Sequence, residues 1–502
     1  MKKLILSFFL LALSLPVLSE PVSEQRIKQM LPDFEAYVEK ARKEWDVPSA
    51  AVAVIHKDRI LWWKGFGDRG GGISGPPDLN TVFAVGSTTK AFCSTTQAMM
   101  VDGGGPDWDA RVCDQVEDFQ MADPWVTREM RVHDLLAQHP GIAKQALSTM
   151  GGLGYSPEEI VRALRWAPPI SSFRTKFAYV NALHIVAGQM VAQWAKADSW
   201  QDVLAARILK PLGMTRTSWT PEGLDGDSNR APGHARVKGK IQALEAGPFP
   251  YQFGPAGALN STLADMSNWV RLQIGRGEFE GKRLVSAENL AYTWTPQTVL
   301  NSENFYCLGW ILHYWDGHSM LWHNGGVPGH TTFVGFQPEE QLGIVVLSNL
   351  GGTQMPDAVG FYFFEQVHGK ARMDYSAAFL ERHLQGQKAA EEFRRSPAGA
   401  RPAPAASKLS GRYTCEALGD LVVENQGGQL YLNFTKPGQK AHLIPHDGLS
   451  FRLVFEQGWM NKIGWDEGGS VLFTTDTEGV VDGLQVRLGE PGEGAVLPAS
   501  KN

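Results

Sequence analysis

Three short runs carry residue types and spacings suited to acyl transfer. The first is Ser87-Thr88-Thr89-Lys90. A serine hydroxyl needs an activating base to attack a carbonyl. A lysine three residues on shares its helix face, and its amine can serve as that base if burial lowers its pKa. The second run is Tyr179-Val180-Asn181. It offers a phenol that can pass a proton and an amide that can orient a substrate or the lysine. The third is His323-Asn324-Gly325-Gly326. Here the glycines let another backbone come close, and His323 could meet a substrate carboxylate or position Tyr179. Each run is weak alone: a chain of this length holds about one Ser-x-x-Lys by chance. A second Tyr-x-Asn, Tyr431-Leu432-Asn433, reads as structural.

The elements that position these residues show in the hydrophobic pattern. Ser87 follows the apolar Val82–Val85 and opens a helical run through Met100, so it stands at a helix N-terminus, whose N–H groups favour a developing oxyanion. Residues 24–45 repeat apolar positions at helical spacing. Ala50–Ile55 and Ile60–Phe66 read as paired strands, Thr331–Phe336 and Leu342–Leu347 as two more, and 355–368 as a closing helix. The middle, roughly 87 to 300, reads as helical patches and long loops. The fold class expected is α+β: an antiparallel sheet built from both ends of one domain and flanked by helices, with a helical lobe inserted. A helical stretch from 377 runs into the Pro/Ala-rich linker 396–407. Short alternating segments follow and predict a small all-β barrel or sandwich.

The chain has 502 residues, 43% hydrophobic and 20% charged, the balance of a globular protein of two or three units. A formal net charge of −6 with no basic run gives no footing for nucleic acid. Lys2 and Lys3 precede the apolar stretch Leu4–Leu15 and Pro16-Val17-Leu18-Ser19, which reads as a signal peptide cleaved after Ser19. No other stretch approaches a membrane span. A periplasmic or secreted protein, without stable membrane insertion once the signal is removed, is expected. Of the four cysteines, only Cys93 and Cys113 lie close in sequence, and whether they pair is left open.

Taken together, the three runs resemble those of the serine β-lactamase-related superfamily, nearest its class C β-lactamase, DD-peptidase and esterase group. The resemblance runs from about 24 to 370. It includes His133-Asp134-Leu135-Leu136, Pro140-Gly141-Ile142, Pro211-Leu212-Gly213-Met214, Gly257-Ala258-Leu259-Asn260-Ser261-Thr262 and Gly343–Asn349. The later segment resembles the lipocalin-like β domain appended to many members. The division expected is a signal at 1–19, the hydrolase domain at 20–370, helix and linker at 371–407, the β domain at 408–491 and a tail at 492–502.

The resemblance implies roles. Ser87 would be the acylated nucleophile. Lys90 and Tyr179 would share base and acid work, with either as the base. His323 would stand where these enzymes carry Lys or His. Asn181, Asn324 and Gly325 would border the substrate, and the backbone N–H groups of Ser87 and Gly326 would form an oxyanion hole. No cofactor or metal is implied, and the partner would be a peptide or small-molecule substrate. Two departures stand out. His323-Asn324-Gly325 replaces Lys-Thr-Gly, and Gln138-His139-Pro140 replaces His-Thr-Ser. A histidine is charged only in part near neutral pH, so it anchors a carboxylate poorly. A peptidase or esterase is therefore expected ahead of a class C-like β-lactamase. A catalytically weak binder of cell-wall peptides or penicillin is the reading from another class.

Overall fold

The structure, a computed structural model, describes residues 22–247, 249–369, 371–456, 458–463, 467–489 and 493–502. The expected signal peptide lies outside the described residues. Among those described, no helix is long and apolar enough to cross a membrane.

The first domain is an eight-stranded antiparallel sheet between helices. Its strands are β1 (Ser49–His56), β2 (Arg59–Gly67), β3 (Thr298–Val299), β4 (Asn304–Tyr306), β5 (Ile311–Trp315), β6 (His318–Val327), β7 (His330–Gln337) and β8 (Leu342–Ser348). Their order is β2-β1-β8-β7-β6-β5-β4-β3, so the chain's first strand pairs with its last, Val52 opposite Val346 and Val54 opposite Ile344. Both strands are buried on both faces, which is why they read as unbroken apolar runs rather than alternations. Alternation still sorts their side chains. Ala50, Val52, Val54, Ile344 and Val346 pack with Phe34 of α1 (Glu24–Glu44) and Phe363 of α5 (Met355–Val367). Ala51, Ala53, Ile55, Val345 and Leu347 face the opposite core. There Trp269 of α4 (Leu263–Ile274) stacks on Phe92 of α2 (Thr89–Asp102), ring centroids 3.8 Å apart.

The α+β class and both terminal strand pairs agree with the sequence reading. The sheet begins again earlier than expected, at Thr298 rather than near 331, because β3 to β5 are short and carry polar residues. All four cysteines are free thiols, Cys93 and Cys113 included.

The second domain is a closed barrel of eight antiparallel strands, beginning at β9 (Gly411–Cys415) and ending at β16 (Val496–Lys501). Its interior is filled by Tyr413, Leu432, Phe434, Phe451, Phe473 and their neighbours, a packed core rather than a cup. The stretch expected to be a tail contains the closing strand. β16 pairs with β15 (Val481–Leu488) on one side and β9 on the other, with Leu497 and Ala499 buried. Pro498 sits in the middle of that run and obscures its strand pattern. A strand over Gln439–Asp447, also unforeseen, hides Pro445 in the same way.

Candidate active site

Ser87 lies in a single 3₁₀ turn, Gly86–Thr88, that leads directly into α2. The turn is held from several sides. Gly86 has φ +55°, and a Cβ there would stand 3.0 Å from the Gly326 nitrogen, so only glycine fits. The Thr88 hydroxyl donates to Val85 O at 2.9 Å, and that of Thr89 to Gly86 O at 2.6 Å. Thr332 Oγ1 of β7 also donates to Val85 O, at 2.9 Å, tying the turn to the sheet.

Lys90, in the first turn of α2, is fully buried. Its Nζ lies 3.2 Å from Ser87 Oγ, 2.8 Å from Asn181 Oδ1 and 2.7 Å from Ala256 O. Burial pushes its pKa well below the usual lysine value. The Tyr179 ring, centroid 4.6 Å away, would favour an ammonium, but such a contact is worth only about 0.5–2 kcal/mol against the larger cost of a buried charge. Asn181 and Ala256 present acceptors, so a neutral amine gives both its protons to them. Its lone pair is then left facing Ser87.

Tyr179 hydrogen-bonds the Ser87 side chain, and burial raises its phenol well above the ordinary value, so it stays protonated. Asn181 heads α3 (Ala182–Ala195) without capping it; its side chain turns to Lys90 instead, and its Nδ2 donates to Ser148 Oγ at 3.2 Å. Ser148 Oγ donates in turn to Gln145 Oε1 at 2.8 Å. Neither Gln145 nor Ser148 was expected at the site. Gln138 holds the Tyr179 loop, its carbonyl accepting from Ala178 N at 2.8 Å and its Oε1 from Val180 N at 2.6 Å. This is what the departure from His-Thr-Ser does here.

The structure moves three expected residues away from substrate. His323 is buried and absent from the cleft wall. Its Nδ1–H donates to Asn324 O at 2.6 Å, and its Nε2 accepts from the Tyr306 hydroxyl at 3.2 Å. Burial, reinforced by Lys90, pushes its pKa to about 3, so it is neutral and is no anchor for a carboxylate. Its ring lies behind Tyr179, centroids 6.3 Å apart, which agrees with a positioning part. Asn324 points to the far face of the strand, where its Nδ2 donates to the buried Asp357 at 2.7 Å. Gly325 does not line the cleft either: a Cβ there would stand 1.9 Å from Val85 O, so it permits contact between strand and turn. Gly326 does line the cleft, and a Cβ there would meet nothing within 4 Å. Because β5 pairs with β6 only as far as Trp322, Gly326 lies beyond the reach of that neighbour.

Ser87, Tyr179, Asn181 and Gly326 share a cleft of about 310 Å³. Phe249, Phe253 and Val327 give it an apolar side. Met460, Glu467, Gly468, Gly489 and Glu493 of the barrel domain complete the wall. No group of acidic, histidine and cysteine side chains among the described residues could hold a metal ion.

A family model described as Beta-lactamase matches residues 34–366, and one described as Domain of unknown function (DUF3471) matches 395–494. The unguisins hydrolase of Aspergillus violaceofuscus is 29% identical over 357 residues, 64% of this chain and 62% of its own length. The chain thus spans under two thirds of that relative. Penicillin-binding protein 4 of Amycolatopsis lactamdurans is 27% identical over 62% of this chain and 83% of its own length. In fold, the chain is similar to an octameric penicillin-binding protein homologue from Pyrococcus abyssi, with TM-score 0.61 and 21% identity over 94% of this chain and all of that one.

Proposed function

This chain belongs to the Beta-lactamase family, and from that premise we propose that it is a serine hydrolase that acylates Ser87 and cleaves an amide or ester. One observation carries the reading: a buried lysine amine faces the Ser87 hydroxyl while two fixed acceptors take its protons. Lys90 accepts the Ser87 proton as Oγ bonds to the carbonyl carbon. The N–H groups of Ser87 and Gly326 receive the oxyanion. As the intermediate collapses, the bond to the leaving group breaks and the leaving group takes the proton that Lys90 received, passed on through the Tyr179 hydroxyl, which leaves the amine neutral. A water molecule then attacks the acyl carbonyl as Lys90 takes its proton; the bond from the carbonyl carbon to Oγ breaks, the acid leaves, and Lys90 returns the proton to Ser87 Oγ. Burial supports Lys90 as the base, since it favours the neutral form of the amine and of the phenol alike.

The fungal relative bears the name of a hydrolase, which supports this class of reaction. Among the described residues the cleft wall carries no lysine, arginine or histidine, which speaks for a peptidase or esterase ahead of a β-lactamase. Lys2, Lys3 and the apolar Leu4–Leu15 support export to the periplasm or beyond.

The test is covalent labelling of the mature protein with a fluorophosphonate and with a fluorescent penicillin, beside Ser87→Ala. Labelling that disappears in folded Ser87→Ala is expected. A folded protein that neither probe labels would overturn the proposal. Rapid turnover of a chromogenic cephalosporin would move the activity to the β-lactamases.

A further inference from the structure

The barrel domain is docked beside the nucleophile by specific contacts. Lys144 Nζ meets Glu493 Oε1 at 2.6 Å, and Gly494 N donates to Lys144 O at 2.8 Å. The buried Tyr155 hydroxyl donates to Leu418 O at 2.7 Å, and Lys436 pairs with Glu159. These contacts bring Glu467 and Glu493 into the wall of the cleft that holds Ser87, and among the described residues they are its only charged lining residues. Each carboxylate is held from outside the cleft, Glu493 by Lys144 and Glu467 by Arg452 at 2.6 Å. Neither of those cations lines the cleft. His323 is buried behind the wall, and Lys90 lies beneath Ser87.

We propose that the barrel domain sets the charge of the substrate: Glu467 and Glu493 select amides or esters that carry a protonated amine on an apolar body, and they turn away those that carry a carboxylate. Phe249, Phe253 and Met460 receive the apolar part. The assignment rests on the hydrolase reading. Among the described residues, a carboxylate placed in this cleft would meet two like charges and no cation on the wall, whereas an ammonium would meet two carboxylates whose cations stand outside it.

The test uses the full chain and three p-nitrophenyl esters of matched length ending in an ammonium, a methyl or a carboxylate group. At neutral pH and low salt, kcat/KM is expected to fall about tenfold at each step in that order. Glu493→Gln and Glu467→Gln should each narrow the ammonium-to-carboxylate ratio at least about threefold, as should added salt. A folding defect lowers all three rates together and leaves the ratio unmoved. Equal rates, a preference for the carboxylate ester, or a ratio unchanged in both variants overturns the proposal while leaving the hydrolase reading intact. A folded protein that cleaves none of the esters and takes no fluorophosphonate label overturns both.

Discussion

The amine of Lys90 stands 3.2 Å from the hydroxyl of Ser87, and its remaining partners, Asn181 Oδ1 and Ala256 O, act only as acceptors. That geometry fixes where the lysine lone pair points. Lys90→Arg keeps the reach but replaces a neutral amine with a guanidinium, which does not deprotonate in a protein and so cannot act as the base. Its kcat/KM on a neutral ester should fall about 10²–10⁴-fold with the fold retained, as measured by initial rates and circular dichroism.

The same burial makes stability depend on pH. Lys90 is depressed in the folded protein, whereas the unfolded chain titrates near the ordinary lysine value of about 10.4. Between the two the unfolded state binds the extra proton, so stability at this site rises with pH. Lys90→Met removes that dependence. The difference in Tm, variant minus parent, should therefore be more positive at pH 7 than at pH 10, and scanning calorimetry at the two values reads it.

Asp134 tests the opposite sign. Burial alone would raise its carboxyl, but Arg174 at 2.8 and 2.6 Å and the neighbouring histidines hold it well below the usual range. Its contribution is present above about pH 3.9 and is lost as pH falls toward the folded value. Asp134→Asn removes a buried carboxylate shared by the exposed Arg174 and the buried His139 and should cost about 1.5–3 kcal/mol in urea unfolding at pH 7, with a smaller difference at pH 3.

His323 should not titrate in the ordinary histidine range. With its pKa near 3, its ring proton resonances should stay constant between pH 5 and 8 by NMR. Movement through that range would restore it as a charged anchor.

Adjacent glycines should behave differently. Gly325→Ala drives a Cβ into Val85 O and should cost about 3 kcal/mol or more. Gly326→Ala meets open space, so its Tm should change little while the methyl group enters the cleft and lowers kcat/KM.

The nucleophile, its lysine and the Tyr179–Asn181 pair were legible because each lies at or just before a helix with clear periodicity. His323 was found as a residue and misread in its environment: sequence shows a histidine beside glycines but not the Tyr306 hydroxyl and the burial that hold it neutral. Asn324 followed from the motif, yet strand alternation sends its side chain to Asp357. Gln145 and Ser148 went unseen because they stand before and at the start of a six-residue helix, Ser148–Leu153, too short to show a period. Glu467 and Glu493 went unseen because the contact that brings them to Ser87 joins two separately patterned domains. The barrel was legible in outline, while the prolines of its middle and final strands concealed their pairing.

β16 closes the barrel by joining β15 to β9, and the barrel in turn walls the cleft. In the order of synthesis, Ser87, Lys90 and Tyr179 all emerge long before Val496. A ribosome that stops a few codons short of that strand would release every group needed for acyl transfer without the enclosure that chooses what reaches them. Premature termination there should therefore act first on discrimination between substrates, and the chemistry should fail only after that.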